Sequence, residues 1–354
     1  MSHDIVPMSG LSRLPALPFL GISAAVYFLI QSAWRKSHEM QWAKSYQAPI
    51  PVISVGNIAI GGTGKTPFVM YLVELLLDQG LKPCVISRGY RGMYVTDHVV
   101  VSDGVSLGAQ VDPRLVGDEP FLMANNLVNK APVMVGRDRI TCIEFAHEKF
   151  NCDVAILDDG FQHLKLKRDI DVVLLSGRED HMFPLGVLRE PVSTLSRADI
   201  IVLDSNQEVI SKRLRDFLSC HEHHTFKSYP VALRNSDVGH TININDLKGM
   251  DVLLVSAIAN PNRFRKMAES LEWRVVNHLV YRDHHDYSPA DLTFILKKAG
   301  GATVVFTEKD WVKLAPVFQQ RPDVFFLNIR LKVDGPEVFL KRILDKLGMN
   351  GSHQ

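Results

Sequence analysis

The sequence predicts an α/β protein, with a P-loop NTPase-like, mostly parallel sheet followed by a second, smaller α/β unit. Three observations predict it. An apolar run at 51–60 leads into Gly61-Gly62-Thr63-Gly64-Lys65-Thr66, and a helix-like stretch at 68–77 follows. Strand-like and helix-like runs then alternate as far as residue 219. A second strand–helix series starts near Gly249.

The glycine loop is the strongest local signal. A phosphate needs backbone N–H groups at close range, and only glycines let the chain approach that closely at the start of a helix. The expected ATP-binding residues are Ala59, Ile60, Gly61, Gly62, Thr63, Gly64, Lys65 and Thr66. Lys65 is expected to reach the β- and γ-phosphates, and the Thr66 hydroxyl to ligate Mg²⁺. The strict pattern has a glycine where this chain has Ala59. A plain glycine turn would explain the glycines but not Gly64-Lys65-Thr66 together.

Strand-like runs fall at 51–55, 83–87, 98–101, 132–135, 153–157, 171–175 and 200–203, and helix-like ones at 66–79, 119–129, 140–149 and 208–219. Several strands are nearly all apolar, as strands covered on both faces are. Helices alternating with such strands imply a parallel sheet with its ligand at the strands' carboxyl ends. In the second series, strands are expected at 251–258, 274–280, 303–307 and 324–329, and helices at 263–271 and 289–298. The expected division is a membrane-associating region at 1–35, a P-loop unit at 36–240 and a smaller unit at 245–354, with the polar stretch 235–248 as the boundary.

The 354 residues are many for a single core, which also favours two units. A formal net charge of +1 provides no global attraction to nucleic acid, and no nucleic-acid or protein partner is expected. Cys84, Cys142, Cys152 and Cys220 are widely spaced, which fits reduced thiols rather than a disulfide frame. His221, His223 and His224 lack the companions of a metal site and are expected at the surface.

From Leu14 to Ile30 the chain has no charged residue, and Arg13, Arg35 and Lys36 bracket the run. Such a helix would reach roughly 25 Å, short of the ~30 Å hydrocarbon core. Shallow attachment to a membrane and burial in a core are both open for it. Further along, Asp153-Val154-Ala155-Ile156-Leu157-Asp158-Asp159-Gly160 reads as an apolar strand delivering carboxylates at its carboxyl end, where Mg²⁺ takes oxygen ligands. The same letters also suit an ordinary turn, and their pairing with the glycine loop favours the metal.

With Phe161-Gln162-His163 added, the chain resembles the tetraacyldisaccharide 4′-kinase family of lipid A biosynthesis. The resemblance covers Ser54-Val55-Gly56-Asn57, the glycine loop, Ser87-Arg88-Gly89-Tyr90, Val116-Gly117-Asp118-Glu119-Pro120 and 184–191. It extends to Asn260-Pro261-Asn262-Arg263-Phe264, Asp283-His284 and Phe306-Thr307-Glu308-Lys309-Asp310, in the family's order. The family generally lacks the glycine replaced here by Ala59. The resemblance implies phosphoryl transfer from ATP, with Mg²⁺, to the 4′-hydroxyl of a tetraacylated disaccharide 1-phosphate, giving lipid IVA. It implies Asp118 as general base with His284 as its partner, and Lys65 at the phosphates. It implies Thr66, Asp158, Asp159 and Glu190 around the metal, and Arg139, Gln162 and His163 near the acceptor. Asp118 would otherwise read as a helix start, and Arg139 equally as a partner of Asp138.

The lipid acceptor implies attachment to the cytoplasmic face of the inner membrane of a Gram-negative-type bacterium. Two rival readings are a membrane-associated regulatory P-loop ATPase and a non-catalytic nucleotide-binding protein. Ile60, where such ATPases often carry lysine, counts against the first. The ordered polar motifs of both halves count against the second.

Overall fold

The computed structural model describes residues 45–349 except 95, 110, 184, 207–209, 236–240, 316–317 and 319–320. The expected membrane-associating region, 1–35, lies outside the described residues. Among the described residues no helix is long and apolar enough to cross a membrane.

The strands are β1 (Val52–Gly56), β2 (Pro83–Ser87), β3 (His98–Asp103), β4 (Pro132–Gly136), β5 (Val154–Asp158), β6 (Ile170–Leu175) and β7 (Ile200–Asp204), followed by β8 (His224–Arg234), β9 (Thr241–Ile242), β10 (Asp251–Ser256), β11 (Arg274–Val280), β12 (Thr303–Thr307) and β13 (Val324–Val333). They lie in the order β11-β10-β12-β13-β8-β7-β6-β1-β5-β2-β4-β3, with β9 pairing off β8. β1, β2, β4, β5, β6 and β7 are buried along their whole length, as their largely apolar sequences favour. β3 closes the edge antiparallel to β4.

Hydrogen bonding in the sheet does not stop between the two expected units. β8 continues parallel to β7 through residues 224–226, then pairs antiparallel with β13 along 226–234. The C-terminal end of the chain also returns to the first half. Leu331 and Val333 of β13, and Phe339 and Ile343 of the helix Pro336–Lys346, share a core with Phe68 and Phe226. Phe68 meets Phe226 and Phe339 edge-on, with ring centroids 6.2 and 5.9 Å apart. Truncating such a fully buried ring costs about 3–5 kcal/mol.

The antiparallel β8–β13 pair also creates the site. β8 runs past the carboxyl end of β7, and β13 comes back along it. β12 and β10 follow β13 in parallel, so they run back toward the first half. The carboxyl ends of the two parallel sets therefore face each other. Loops from both converge there, as the pairs Asp118–His284, Glu119–Lys309 and Arg263–Asp204 show.

Candidate active site

One wall of the cleft is the glycine loop. Gly64 caps the helix Lys65–Leu77 at φ 83°, a left-handed conformation that strains any side-chain-bearing residue. A Cβ there would also meet the Phe226 ring at 3.3 Å. Asn57 donates its amide to the Thr63 hydroxyl at 3.0 Å, and Gln162 donates its amide to the Asn57 carbonyl at 2.9 Å. Ala59 is buried and bridges Leu188, with hydrogen bonds on either side from Ile60 N to Val187 O (2.6 Å) and from Arg189 N to Ile58 O (2.7 Å). The segment around 187–190 thus straps the loop's entry, and Ala59 sits where a strand contact, not a turn, is needed.

Asp158 ends β5, and Asp159 follows at φ 53°, an uncommon value for a residue with a side chain. Asp159 pairs with Lys65 at 3.3 Å and Arg189 at 3.2 Å. Burial resists its ionisation, but Lys65 and Arg189 outweigh that and hold its pKa below the ordinary value. Asp158 accepts from the Ser87 hydroxyl at 2.9 Å, while its Oδ1 is buried with no protein partner. Burial, with Glu119 and Asp159 nearby, pushes its pKa up to about 6. An orphaned carboxylate oxygen beside a phosphate-binding loop fits a divalent cation. No group of three or more His, Cys, Asp or Glu suited to a metal occurs among the described residues. Mg²⁺ is commonly held by one or two carboxylates together with substrate phosphates and water.

The structure uses the remaining expected residues differently from one another. Glu190 is buried, but its carboxylate engages Arg197 at 2.7 Å, whereas its neighbour Arg189 meets Asp159. Arg139 is only 4% exposed and donates to the Asp159 carbonyl at 3.1 Å. Its burial lowers its pKa, and the nearby Asp158 and Asp159 oppose that. It lies against the aspartates and is not an exposed partner of Asp138, which caps the helix Arg139–Phe150. Gln162 braces Asn57. His163 is half-buried, and burial with Arg139 and Arg168 nearby lowers its pKa to about 4.

The opposite wall combines both halves. Gly117, at φ 93°, packs so closely that a Cβ would lie 2.7 Å from the Tyr90 carbonyl, and this turns Asp118 into the cleft. His284 Nδ1 lies 3.0 Å and Lys313 Nζ 2.8 Å from Asp118 Oδ2. Burial resists ionisation of Asp118, but hydrogen bonds from His284 and Lys313 prevail and lower its pKa. Both donors converge on Oδ2, so Oδ1 is the oxygen left to accept a proton. His284 itself adopts φ 61° and donates its N–H to the Ala257 carbonyl at 3.2 Å. The Ala257 N–H in turn donates to buried Asp310 at 3.0 Å. Asp118, His284 and Lys313 line a cavity of about 450 Å³ that also presents Arg91 and Arg114.

This arrangement joins a phosphate loop, a metal-ready carboxylate and a carboxylate–histidine pair in one cleft. Comparison with known proteins gives it a family. The family model for tetraacyldisaccharide-1-P 4′-kinase matches residues 16–348. The chain belongs to this family. A tetraacyldisaccharide 4′-kinase of Syntrophus aciditrophicus is 36% identical over 337 residues, covering 88% of this chain and 87% of that protein. One from Aquifex aeolicus is 36% identical over 308 residues, covering 86% and 91%. A crystal structure of the Aquifex aeolicus LpxK in complex with ATP superposes with a TM-score of 0.73 at 33% identity, covering 94% of this chain and 98% of that one. This chain is accordingly an ATP-dependent kinase with an alcohol acceptor.

From the sequence alone, Lys309 and Glu119, which lie in the quoted motifs, have no assigned role, and Lys313 is not singled out. The lysines are four apart, the spacing that puts two side chains on one face of a helix, here Glu308–Leu314. That helix was not read from the sequence, so the spacing carried no meaning.

Proposed function

We propose that the chain transfers the γ-phosphoryl group of ATP to the 4′-hydroxyl of tetraacyldisaccharide 1-phosphate, with Asp118 accepting the hydroxyl proton. The 4′-O–P bond forms as the bond from the γ-phosphorus to the bridging oxygen breaks, and ADP leaves with that electron pair. The proton goes to Asp118. The observation that carries the roles is the 3.0 Å contact of Asp118 with His284 across the cleft from Lys65 and Asp159. A depressed pKa keeps Asp118 ionised, and His284 and Lys313 orient it. Lys65 neutralises phosphate charge as it moves. Thr66 and Asp158, with Asp159 beside them, would hold Mg²⁺, which supplies further charge neutralisation on the phosphates. Arg139 balances the buried aspartates, and Gln162 braces the loop. The acceptor hydroxyl approaches through the cavity beside Asp118. Enzyme supplied with ATP and the acylated disaccharide should yield the 4′-phosphorylated lipid and ADP in equal amounts. ADP release unaffected by acceptor would overturn this reading.

The same reading places the protein at the cytoplasmic face of the inner membrane, attached through residues 14–30. Its four-chain acceptor is poorly available in bulk water, while ATP is in the cytosol. An uncharged segment bracketed by Arg13, Arg35 and Lys36 suits shallow attachment to an anionic surface. Deleting residues 1–34 should lower recovery with membranes and raise the KM for lipid, with ATP binding unchanged. A truncated protein that partitions like the intact one would remove this assignment.

A further inference from the structure

We infer that Lys309 is a positioning residue that holds His284 as the neutral tautomer protonated on Nδ1. The inference rests on the reading of Asp118 and His284 as the proton-accepting pair. Lys309 Nζ lies 3.1 Å from His284 Nε2, and Asp118 Oδ2 lies 3.0 Å from Nδ1. An ammonium can only donate, so Nε2 must offer its lone pair. A carboxylate can only accept, so Nδ1 must carry the proton. One state satisfies both contacts. The imidazolium would turn an N–H toward the ammonium, and the Nε2–H tautomer would also leave a lone pair facing Asp118. Asp283 offers no alternative acceptor, since its Oδ1 is 3.9 Å from Nε2.

Lys309 is itself fixed. It pairs with Glu119 at 3.0 Å and Asp283 at 3.8 Å, and stands on the helix Glu308–Leu314 one turn before Lys313, which holds Asp118. The imidazole therefore has cations on both sides of the pair it forms with Asp118, and its one proton is committed to the carboxylate. When Asp118 takes the acceptor's proton on Oδ1, Nδ1–H still donates to Oδ2. His284 thus orients the base and does not relay the proton onward. Free imidazole side chains favour the Nε2–H tautomer, so removing Lys309 removes the group that inverts that preference.

The test uses the full-length enzyme labelled with ¹⁵N-histidine, read by long-range ¹H–¹⁵N spectra, with the His284 signals identified by their loss in His284→Asn. The intact enzyme should show a protonated Nδ1 and a bare Nε2 at residue 284. Lys309→Met should move the pattern toward Nε2–H and lower kcat by about 10-fold or more, with the KM for ATP changed by less than about 2-fold. Lys309→Arg, which keeps a donor, should restore the pattern and part of kcat. In a His284→Asn background, where an amide replaces Nδ1–H, Lys309→Met should cost less than about 3-fold. A protonated Nε2 in the intact enzyme overturns the inference even if no Lys309 variant folds. An equal loss of kcat with and without His284 also overturns it, because Lys309 would then act through another group. Full activity of Asp118→Ala would instead overturn the underlying reading, so the two failures are distinguishable.

Discussion

The phosphate-binding wall of the cleft comes from one half of the sheet, whereas the Asp118–His284 wall is shared between both. Lys65 and Thr66 begin the helix that follows β1 and its glycine loop, and Asp158 and Asp159 lie at the end of β5, which pairs with β1 in hydrogen-bonded register. Their positions follow from local chain geometry and a buried parallel core. Asp118 depends on donors 166 residues away or more, brought to it by the antiparallel β8–β13 pair. The first wall is consequently set by secondary structure, and the second by how the halves are joined. Chemistry needing a fixed anion site can use the former. Chemistry that must admit a bulky acceptor gains from a wall assembled across a cleft.

The largest expected effect lies on the phosphate side. Lys65→Ala should lower kcat by about 10³-fold or more, since charge neutralisation dominates phosphoryl transfer. Its stability should change by no more than about 1 kcal/mol, because Arg189 still meets Asp159 at 3.2 Å. Chemical denaturation paired with steady-state kinetics checks both. A folded Lys65→Ala enzyme with near-normal kcat would end the phosphate-side assignment.

On the shared wall, Asp118→Ala and His284→Ala should each cost roughly 10²–10⁴-fold in kcat. The double variant should lose much less than the product, because the two act as one unit. Independent, fully multiplicative losses would mean the wall is a set of neighbours and not a coupled base.

The difference between the walls also explains what the sequence reveals. The glycine loop and Asp158-Asp159 are legible because a strand, a turn and a helix start are short-range events with strong residue preferences. Most strands are legible for the same reason, being largely apolar runs. The join is not. Nothing in the letters of β8 says that its far end pairs antiparallel with β13. The helices Glu308–Leu314 and Pro336–Lys346 are not read from the sequence, and with them go the placement of Lys309 and Lys313 on one face and the return of Phe339 to the first core. Asp118 and His284 are singled out only through a family resemblance, since taken alone they suit a helix start and a loop. Arg139 is expected near the acceptor through the same resemblance, and its burial against Asp159 is not legible because it depends on tertiary packing that its own segment does not encode.

A third expected effect is on stability. Asp158 is buried with its pKa raised to about 6, against an ordinary value of 3.8. Between those pH values the folded state holds the proton more tightly, so this group's contribution to stability falls as pH rises from about 4 to about 6. It stays lost above that. Asp158→Asn should therefore stabilise the metal-free protein at pH 7 by about 2–3 kcal/mol, and flatten its melting profile between pH 4 and 6. Millimolar Mg²⁺ with ATP should narrow the gap, because only the aspartate gains from the cation. Equal melting of the two proteins at pH 7 would show that the orphaned oxygen carries no cost.

The smallest expected effect comes from the second half, and its sign is opposite. His278 is half-buried, pairs with Ser256 at 2.8 Å, and has its pKa lowered to about 4 by burial. In the unfolded chain it takes up a proton near pH 6.5, whereas in the folded protein it waits until about 4. Stability is therefore intact above about 6.5 and is lost as pH falls toward 4. Its partial exposure limits the effect to about 1–2 kcal/mol after screening by solvent. His163 behaves the same way in the first half. His278→Gln should therefore flatten the melting profile between about pH 6.5 and 4 relative to the parent, by the share of acid sensitivity that this imidazole contributes. Melting curves of the parent and the variant between pH 7 and 4 check this. An unchanged acid profile would mean that the burial of His278 carries no titration cost.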